Sequence, residues 1–571
     1  LRPQYQVALI FTLVFSAYYP VISAEVCRVD DADILASLIA RSTWDPLTFF
    51  LPKSSMGLYY RPVALFSYSL DMFLTGFSPA GMHIINMTLH VANAAIVFFI
   101  ARRLLKESSE ISLKPLVCSL LFALHPAATE AVSLLAGRTD LVACFFVLLS
   151  TYCLVAYRET RRSFWIASAL GAALLGVLSK EVAFAFFLSM SMLLLPKARQ
   201  HGAKETDKRK YLTAALVLFL INGALVGGVI LLRSLAFTSQ HGGMPLTIQY
   251  LLNDPVQTFF LFLRSIGFYV SKYIVPYPLN FAIVEVDPLF EIVGIFVTCL
   301  LIACIMLRTI PSVFFALGII MLVPALVLVY NSIAWTPYAE RYLYISIAFF
   351  SISIPLWLSF PKRLARRIVM PALTVLLVVF SATVFLRAEI WQTNFSLFKD
   401  TVQKSPSARQ ALIQYAYSLL LAGDAAQARL YLNAAAKHFS FRYDPSHDLV
   451  LSLIFFKEGN IAEAIEMNTG ILKKTAFMNL PALENQIQFL GALLDDRHNR
   501  HEKIRILAEI LQAQKRLAEL TMDPLRMYEA AKLAVQLKRT NDALQLFQQT
   551  RQLLSNNHPY YAFSLKMQRY L

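Results

Sequence analysis

Two adjacent carboxylates, Asp30 and Asp31, stand in the run Val29-Asp30-Asp31-Ala32-Asp33. Such a pair can take a proton from a hydroxyl or hold a divalent cation. The same run also suits a helix start, with Asp31 or Asp33 as the capping residue. Further along, three short stretches each set a base beside an acid: Gly137-Arg138-Thr139-Asp140, Ser179-Lys180-Glu181 and Tyr338-Ala339-Glu340-Arg341-Tyr342. Arginine offers forked donors and lysine a point charge, a combination suited to phosphate. Any one of the three could be a structural ion pair. Three on one face suggest a cationic pocket for an anion. Tyr59-Tyr60-Arg61-Pro62 reads either as an interfacial anchor or as part of that site. His83, Asn86, His90 and Asn93 share one helix face, where hydrogen bonding between helices is a commoner use than substrate contact.

The elements that position these residues follow from composition. Of 571 residues, 57% are hydrophobic and only 15% charged, which excludes an ordinary soluble core and leaves a polytopic membrane protein. Apolar runs long enough to cross a bilayer recur at about 4–23, 82–104, 112–128, 139–157, 163–179, 182–196, 211–232, 288–307, 311–330, 341–359 and 368–386. The apolar segment 251–275 carries Arg264 and Lys272 and is read as in-plane or re-entrant, so that eleven spans remain. The N-terminus is then cytoplasmic, with the first span retained. This arrangement gives the cytoplasmic side about 19 bases against about 5 acids, and the outer side of the membrane part a slight acidic excess. The formal charge of +16 is thereby explained as topology, without nucleic acid. The three base-acid stretches and the long outer loop 24–81, with Asp30 and Asp31, all fall outside.

Composition changes near residue 387. A membrane domain, 1–386, is expected before it and a soluble helical domain, 387–571, after it, making the chain all-α. Within the second part Gly423-Asp424-Ala425-Ala426-Gln427-Ala428 recurs 36 residues later as Gly459-Asn460-Ile461-Ala462-Glu463-Ala464, and more weakly as Thr540-Asn541-Asp542-Ala543. A period near 34 with small residues at the turn reads as tetratricopeptide-like, a solenoid that binds polypeptide. The six cysteines show no metal-ligand spacing. Asn86-Met87-Thr88 and Asn394-Phe395-Ser396 match the glycosylation sequon, a pattern common by chance.

The ordered set of stretches resembles the GT-C-fold glycosyltransferases, and within them the transmembrane and tetratricopeptide-repeat O-mannosyltransferases. It runs through Asp30-Asp31, Tyr60-Arg61-Pro62, Ser78-Pro79-Ala80-Gly81-Met82-His83, His125-Pro126 to Thr129-Glu130, Gly137-Arg138-Thr139-Asp140, Ser179-Lys180-Glu181 and Ala339-Glu340-Arg341-Tyr342, with the repeats after it. The resemblance implies an inverting transfer of sugar from a polyprenyl-phosphate-linked donor to an extracytoplasmic acceptor, foremost a protein hydroxyl presented to the repeats. A glycan or glycolipid acceptor is the alternative, as is a non-catalytic scaffold that recruits a partner. By the resemblance, Asp30 or Asp31 is the base. Arg138, Lys180 and Arg341 bind the donor phosphate, and Arg61, His83, Glu130 and Glu340 orient substrate. No cofactor is expected, although Asp30 and Asp31 could hold a divalent metal. The short repeat array implies a bacterial inner-membrane protein with a periplasmic site and an undecaprenyl-phosphate donor.

Overall fold

The computed structural model describes residues 2–39, 46–51, 60–105, 113–195, 205–236, 248–249, 251–329, 335–358, 364–438, 444–495, 499–554 and 558–570. Tyr59 and the basic-loop residues Lys362 and Arg363 lie outside them, as does the side chain of Asp33. Among the described residues the regular elements are helices, apart from one isolated bridge between Ile283 and Tyr338. The chain forms two compact units, Leu1–Ala408 and Arg409–Leu571. The composition change at 386/387 thus precedes the packing boundary. Helix Asn394–Lys404 stays with the first unit because Arg387 pairs with Asp400 and Lys404 donates to the Leu279 carbonyl.

Among the described residues of the first unit seven helices are long and apolar enough to cross a membrane: Pro3–Ser23, Pro79–Leu104, Arg138–Thr160, Tyr211–Ser234, Phe290–Leu307, Ile310–Leu328 and Arg367–Ile390. An eighth forms if Lys114–Ala123 and Pro126–Ser133, bent by 50°, are taken together. The bend has a local cause. Pro126 has no N–H to give and biases His125 towards extended backbone, where it lies at φ −67°, ψ 121°. The chain is therefore an integral membrane protein with a soluble helical region after it. The expected count of eleven is larger because three apolar runs form short helices: Phe164–Val177, Ala183–Leu194 and Tyr344–Trp357. A 14-residue helix is about 21 Å long, less than the ~30 Å hydrocarbon core.

Helix Pro255–Ile274 packs on Phe290–Leu307 at close range. A Cβ on Gly267 would lie 2.0 Å from the Phe290 carbonyl oxygen, and one on Gly294 1.9 Å from that of Leu263. Arg264 pairs with Glu291 across the same contact. The described parts of segment 24–81 pack with Met82 and Leu135 around a core of Leu38, Phe49, Leu65, Tyr68 and Phe77.

The second unit is a run of helices from Arg409–Leu421 to Pro559–Tyr570. Its repeat is visible in the backbone. Gly423 (φ +92°) and Gly459 (φ +85°) end one helix and open the next, and Lys538 (φ +57°) occupies the equivalent place in the third copy. All three turns share one hydrogen-bond pattern: the Gly423, Gly459 and Lys538 N–H groups bond Leu420, Phe456 and Val535, and the following N–H groups bond Leu419, Phe455 and Ala534. The matching alanines, Ala428, Ala464 and Ala543, are fully buried. This is a tetratricopeptide-like repeat.

Candidate active site

The polar stripe of helix Pro79–Leu104 is interior. Asn86, His90 and Asn93 are fully buried. Asn86 donates to the carbonyls of Val132 and Leu134, His90 bonds the Tyr344 hydroxyl and the Ala123 carbonyl, and Asn93 donates to Leu141 and Tyr344. These bonds tie helices together. His83, the outermost of the four, is 1% exposed. Neither of its ring nitrogens has a hydrogen-bond partner among the described residues.

The two adjacent aspartates divide. Asp31 opens helix Asp31–Ile39, is 2% exposed, and accepts the N–H groups of Leu135 (3.1 Å) and Ala136 (2.7 Å), one on each carboxylate oxygen. Burial pushes its carboxyl up to about 7 against the pull of those two bonds. Asp30, one residue earlier, sits in left-handed backbone at φ +69°. Its side chain keeps 35% exposure and meets Arg341 at 3.3 Å. The pair therefore faces two different partners.

Arg341 lies in the 3₁₀ turn Glu340–Leu343 and bridges two acids. Glu130, brought in by the bend at Pro126 and 2% exposed, accepts the Arg341 backbone N–H at 3.1 Å and its guanidinium at 2.8 Å. Asp30 is the second, longer contact. Beside them Lys180 pairs with Asp140 at 2.6 Å. Asp140 stands in the first turn of helix Arg138–Thr160, where the helix dipole favours a carboxylate. Burial lowers the Lys180 ammonium, and Asp140 opposes that shift. Next to Lys180, Glu181 lies between Arg61 (2.6 Å) and Arg233 (3.1 Å). Burial works to raise Glu181, but the two guanidinium groups hold it down at about 2.

Asp30, Glu130, Arg341, Asp140, Lys180, Glu181, Arg61 and Arg233 thus form one neighbourhood, in which each base has an acid. Its charges balance, so the cationic pocket expected from three local pairs is not what the fold builds. The local pairs are also re-sorted. Arg138 does not pair with Asp140. It is fully buried, with its donors taken by Asp71 (2.8 Å), the Met82 carbonyl (2.9 Å) and the Asn86 side chain. Arg138 thus faces that cage, and we read it as structural. Glu340 likewise turns away from Arg341. It accepts the Asn280 N–H at 2.9 Å and meets Lys272 at 3.3 Å. Asp71 and Arg233 were missed. Each is a lone charge in or beside an apolar run, and a lone charge there needs a partner.

Residues 61–226 match the family described as dolichyl-phosphate-mannose-protein mannosyltransferase. Protein O-mannosyl-transferase Tmtc1 of Drosophila melanogaster is 32% identical over 181 residues, covering 31% of this chain and 20% of that protein. Tmtc2 of the same organism is 32% identical over 168 residues, 28% of this chain and 17% of that protein. TMTC4 of Homo sapiens is 31% identical over 140 residues, 21% and 19%. The match spans a fifth or less of these relatives' length, and they are animal proteins, which lends the expected bacterial origin no support. The crystal structure of the APC/C hetero-tetramer Cut9-Hcn1 aligns over 92% of this chain and 98% of that one at 14% identity, with a TM-score of 0.19 too low to carry an argument. The stretch that holds Arg61, His83, Glu130, Arg138 and Lys180 is similar to protein O-mannosyltransferases.

Proposed function

We propose that the chain transfers a sugar, with mannose first among candidates, from a polyprenyl-phosphate-linked donor to a protein hydroxyl on the extracytoplasmic side. The carrying observation is Asp30: a part-exposed carboxylate held against Arg341, beside the Lys180–Asp140 pair. The donor phosphate takes the place of Asp30 as second partner of Arg341, whose contact to Asp30 is its longer one. Asp30 is then free to accept the acceptor's proton. The hydroxyl oxygen bonds to the anomeric carbon from the face opposite the phosphate. The carbon–oxygen bond to phosphate breaks, and polyprenyl phosphate leaves with the electron pair, stabilised by Arg341 and Lys180. Arg61 and Arg233 steady Glu181 at the rim. Asp30 is preferred to Asp31 as base because Asp31 is buried and each of its oxygens already accepts a backbone N–H. No cofactor takes part in the proposed step. The tetratricopeptide-like unit presents the acceptor polypeptide.

The test is mannose transfer from dolichyl-phosphate mannose to a Ser/Thr peptide pool by the purified chain. Removing a general base costs roughly 10²–10⁴-fold, so Asp30→Asn is expected to lose that much kcat. Asp31→Asn should instead lower the yield of folded protein. Full activity in Asp30→Asn would sink the assignment.

A further inference from the structure

We propose that Asn394, working through Glu25, is a positioning residue for Asp30. The inference rests on the reading of Asp30 as base. Asn394 begins the helix that follows the last apolar span, and it is 5% exposed. Its side-chain Nδ2 donates to Glu25 Oε2 at 2.9 Å and to the Val26 carbonyl at 3.0 Å, and its Oδ1 accepts the Arg28 N–H at 3.0 Å. Its own backbone N–H donates to Glu25 Oε2 at 2.9 Å. The neighbouring Gln392 carbonyl accepts the Glu25 N–H at 2.9 Å. One amide side chain thus ties down residues 25, 26 and 28, immediately before the aspartate. The Asn394 backbone bond also keeps the Glu25 carboxyl below its ordinary range, so that it stays a charged acceptor.

The other side of Asp30 is held as firmly. The Asp31 carboxylate grips Leu135 and Ala136, and the Ala32 N–H returns to the Cys27 carbonyl. Between these anchors Asp30 keeps a left-handed backbone, a conformation that persists in a non-glycine residue only where its surroundings over-determine it. Without the upstream anchor, residues 25–29 can relax, and the carboxylate leaves its place against Arg341. Asn394 touches no reacting atom in this scheme. It acts on catalysis through the loop.

The experiment uses the full chain in a Cys299→Ser background, so that the buried Cys27 of the same loop serves as a thiol-labelling probe. A misplacement of about 1 Å can cost 10²-fold, so Asn394→Ala should lower kcat roughly tenfold to a hundredfold with donor KM within about twofold. Cys27 labelling should rise at the same time. Asn394→Asp sets two carboxylates face to face and should be at least as poor. The exchange Glu25→Gln with Asn394→Asp restores the donor–acceptor pair to residue 25 but not the bond to the Val26 carbonyl, and should recover part of the kcat that Asn394→Asp loses. Wild-type kcat in Asn394→Ala, or losses that follow the thermal midpoint with no rescue by the exchange, overturn the proposal. Should Asp30→Asn prove active, the base assignment fails, and labelling alone decides the anchor: raised labelling in Asn394→Ala keeps it, unchanged labelling removes it.

Discussion

Arg138 and Asp71 are the clearest case of a charge committed to structure. Both are fully buried and paired at 2.8 Å. Removing one member of a buried pair strands the other, at a cost of about 3–5 kcal/mol. Asp71→Asn should therefore abolish most folded protein on size-exclusion chromatography in detergent, while whatever folds keeps a normal donor KM. A weakened KM in a well-folded variant would return Arg138 to the phosphate site. Glu181 makes a prediction of a different kind. Its folded value of about 2 lies below the ordinary 4.5, so its contribution is complete above the ordinary value and fades as pH falls towards about 2. The thermal midpoint should drop across that window, and Glu181→Gln should flatten the drop. A drop of equal depth in both proteins would rule out Glu181 as its source. The residue types of the site were legible in the sequence, but their pairing was not. Neighbours one or two apart on a helical turn do not face each other, so Arg138 and Asp140, or Glu340 and Arg341, reach partners from distant stretches. The same holds for the two sequons. Asn86 and Asn394 are both buried with their amides engaged, which makes neither a glycan acceptor in the folded chain.

At the scale of elements, length and apolarity found every described helix that can cross a membrane and added three that are too short. Phe164–Val177, Ala183–Leu194 and Tyr344–Trp357 show why: an apolar run marks burial, and burial within a bundle does not require a full crossing. Segment 251–275 turned on detail that periodicity does not carry. Its helix finds a neighbour through Gly267 and Gly294, where only a missing side chain allows the approach. The repeats were easier, because the turn imposes its own residue. Gly459→Ala, at φ +85°, should destabilise the second unit by about 1 kcal/mol or more. Lys538→Gly, at φ +57°, should have the opposite sign and gain up to about 1 kcal/mol. Hydrogen exchange over helices Pro524–Gln536 and Thr540–Leu553 in the intact chain reads the second change. Faster exchange there would show that the lysine makes contacts worth more than its backbone strain.

For the whole molecule the decisive quantity is sidedness. On the eleven-span expectation the base count puts Asp30, Glu130, Lys180 and Arg341 on the side opposite the basic loop 361–367, whereas a helix Tyr344–Trp357 that does not cross puts Arg341 and that loop on one side. The proposed transferase requires the site to face outward. A reporter fused after Leu571 should read as extracytoplasmic. A cytoplasmic signal there would move the site with it and end the transferase reading. The link from Asn394 to Glu25 also has a consequence in time. These residues are 369 positions apart, and Arg341 comes 311 positions after Asp30. During synthesis the acidic loop is made several hundred residues before its supporting amide and its arginine, which come after nearly all the membrane helices of the first unit. On the proposed mechanism a partly made chain carries a base that nothing holds in place. Competence arrives in a single late step, once residue 394 has left the ribosome, and a premature stop upstream of it yields membrane protein without transfer.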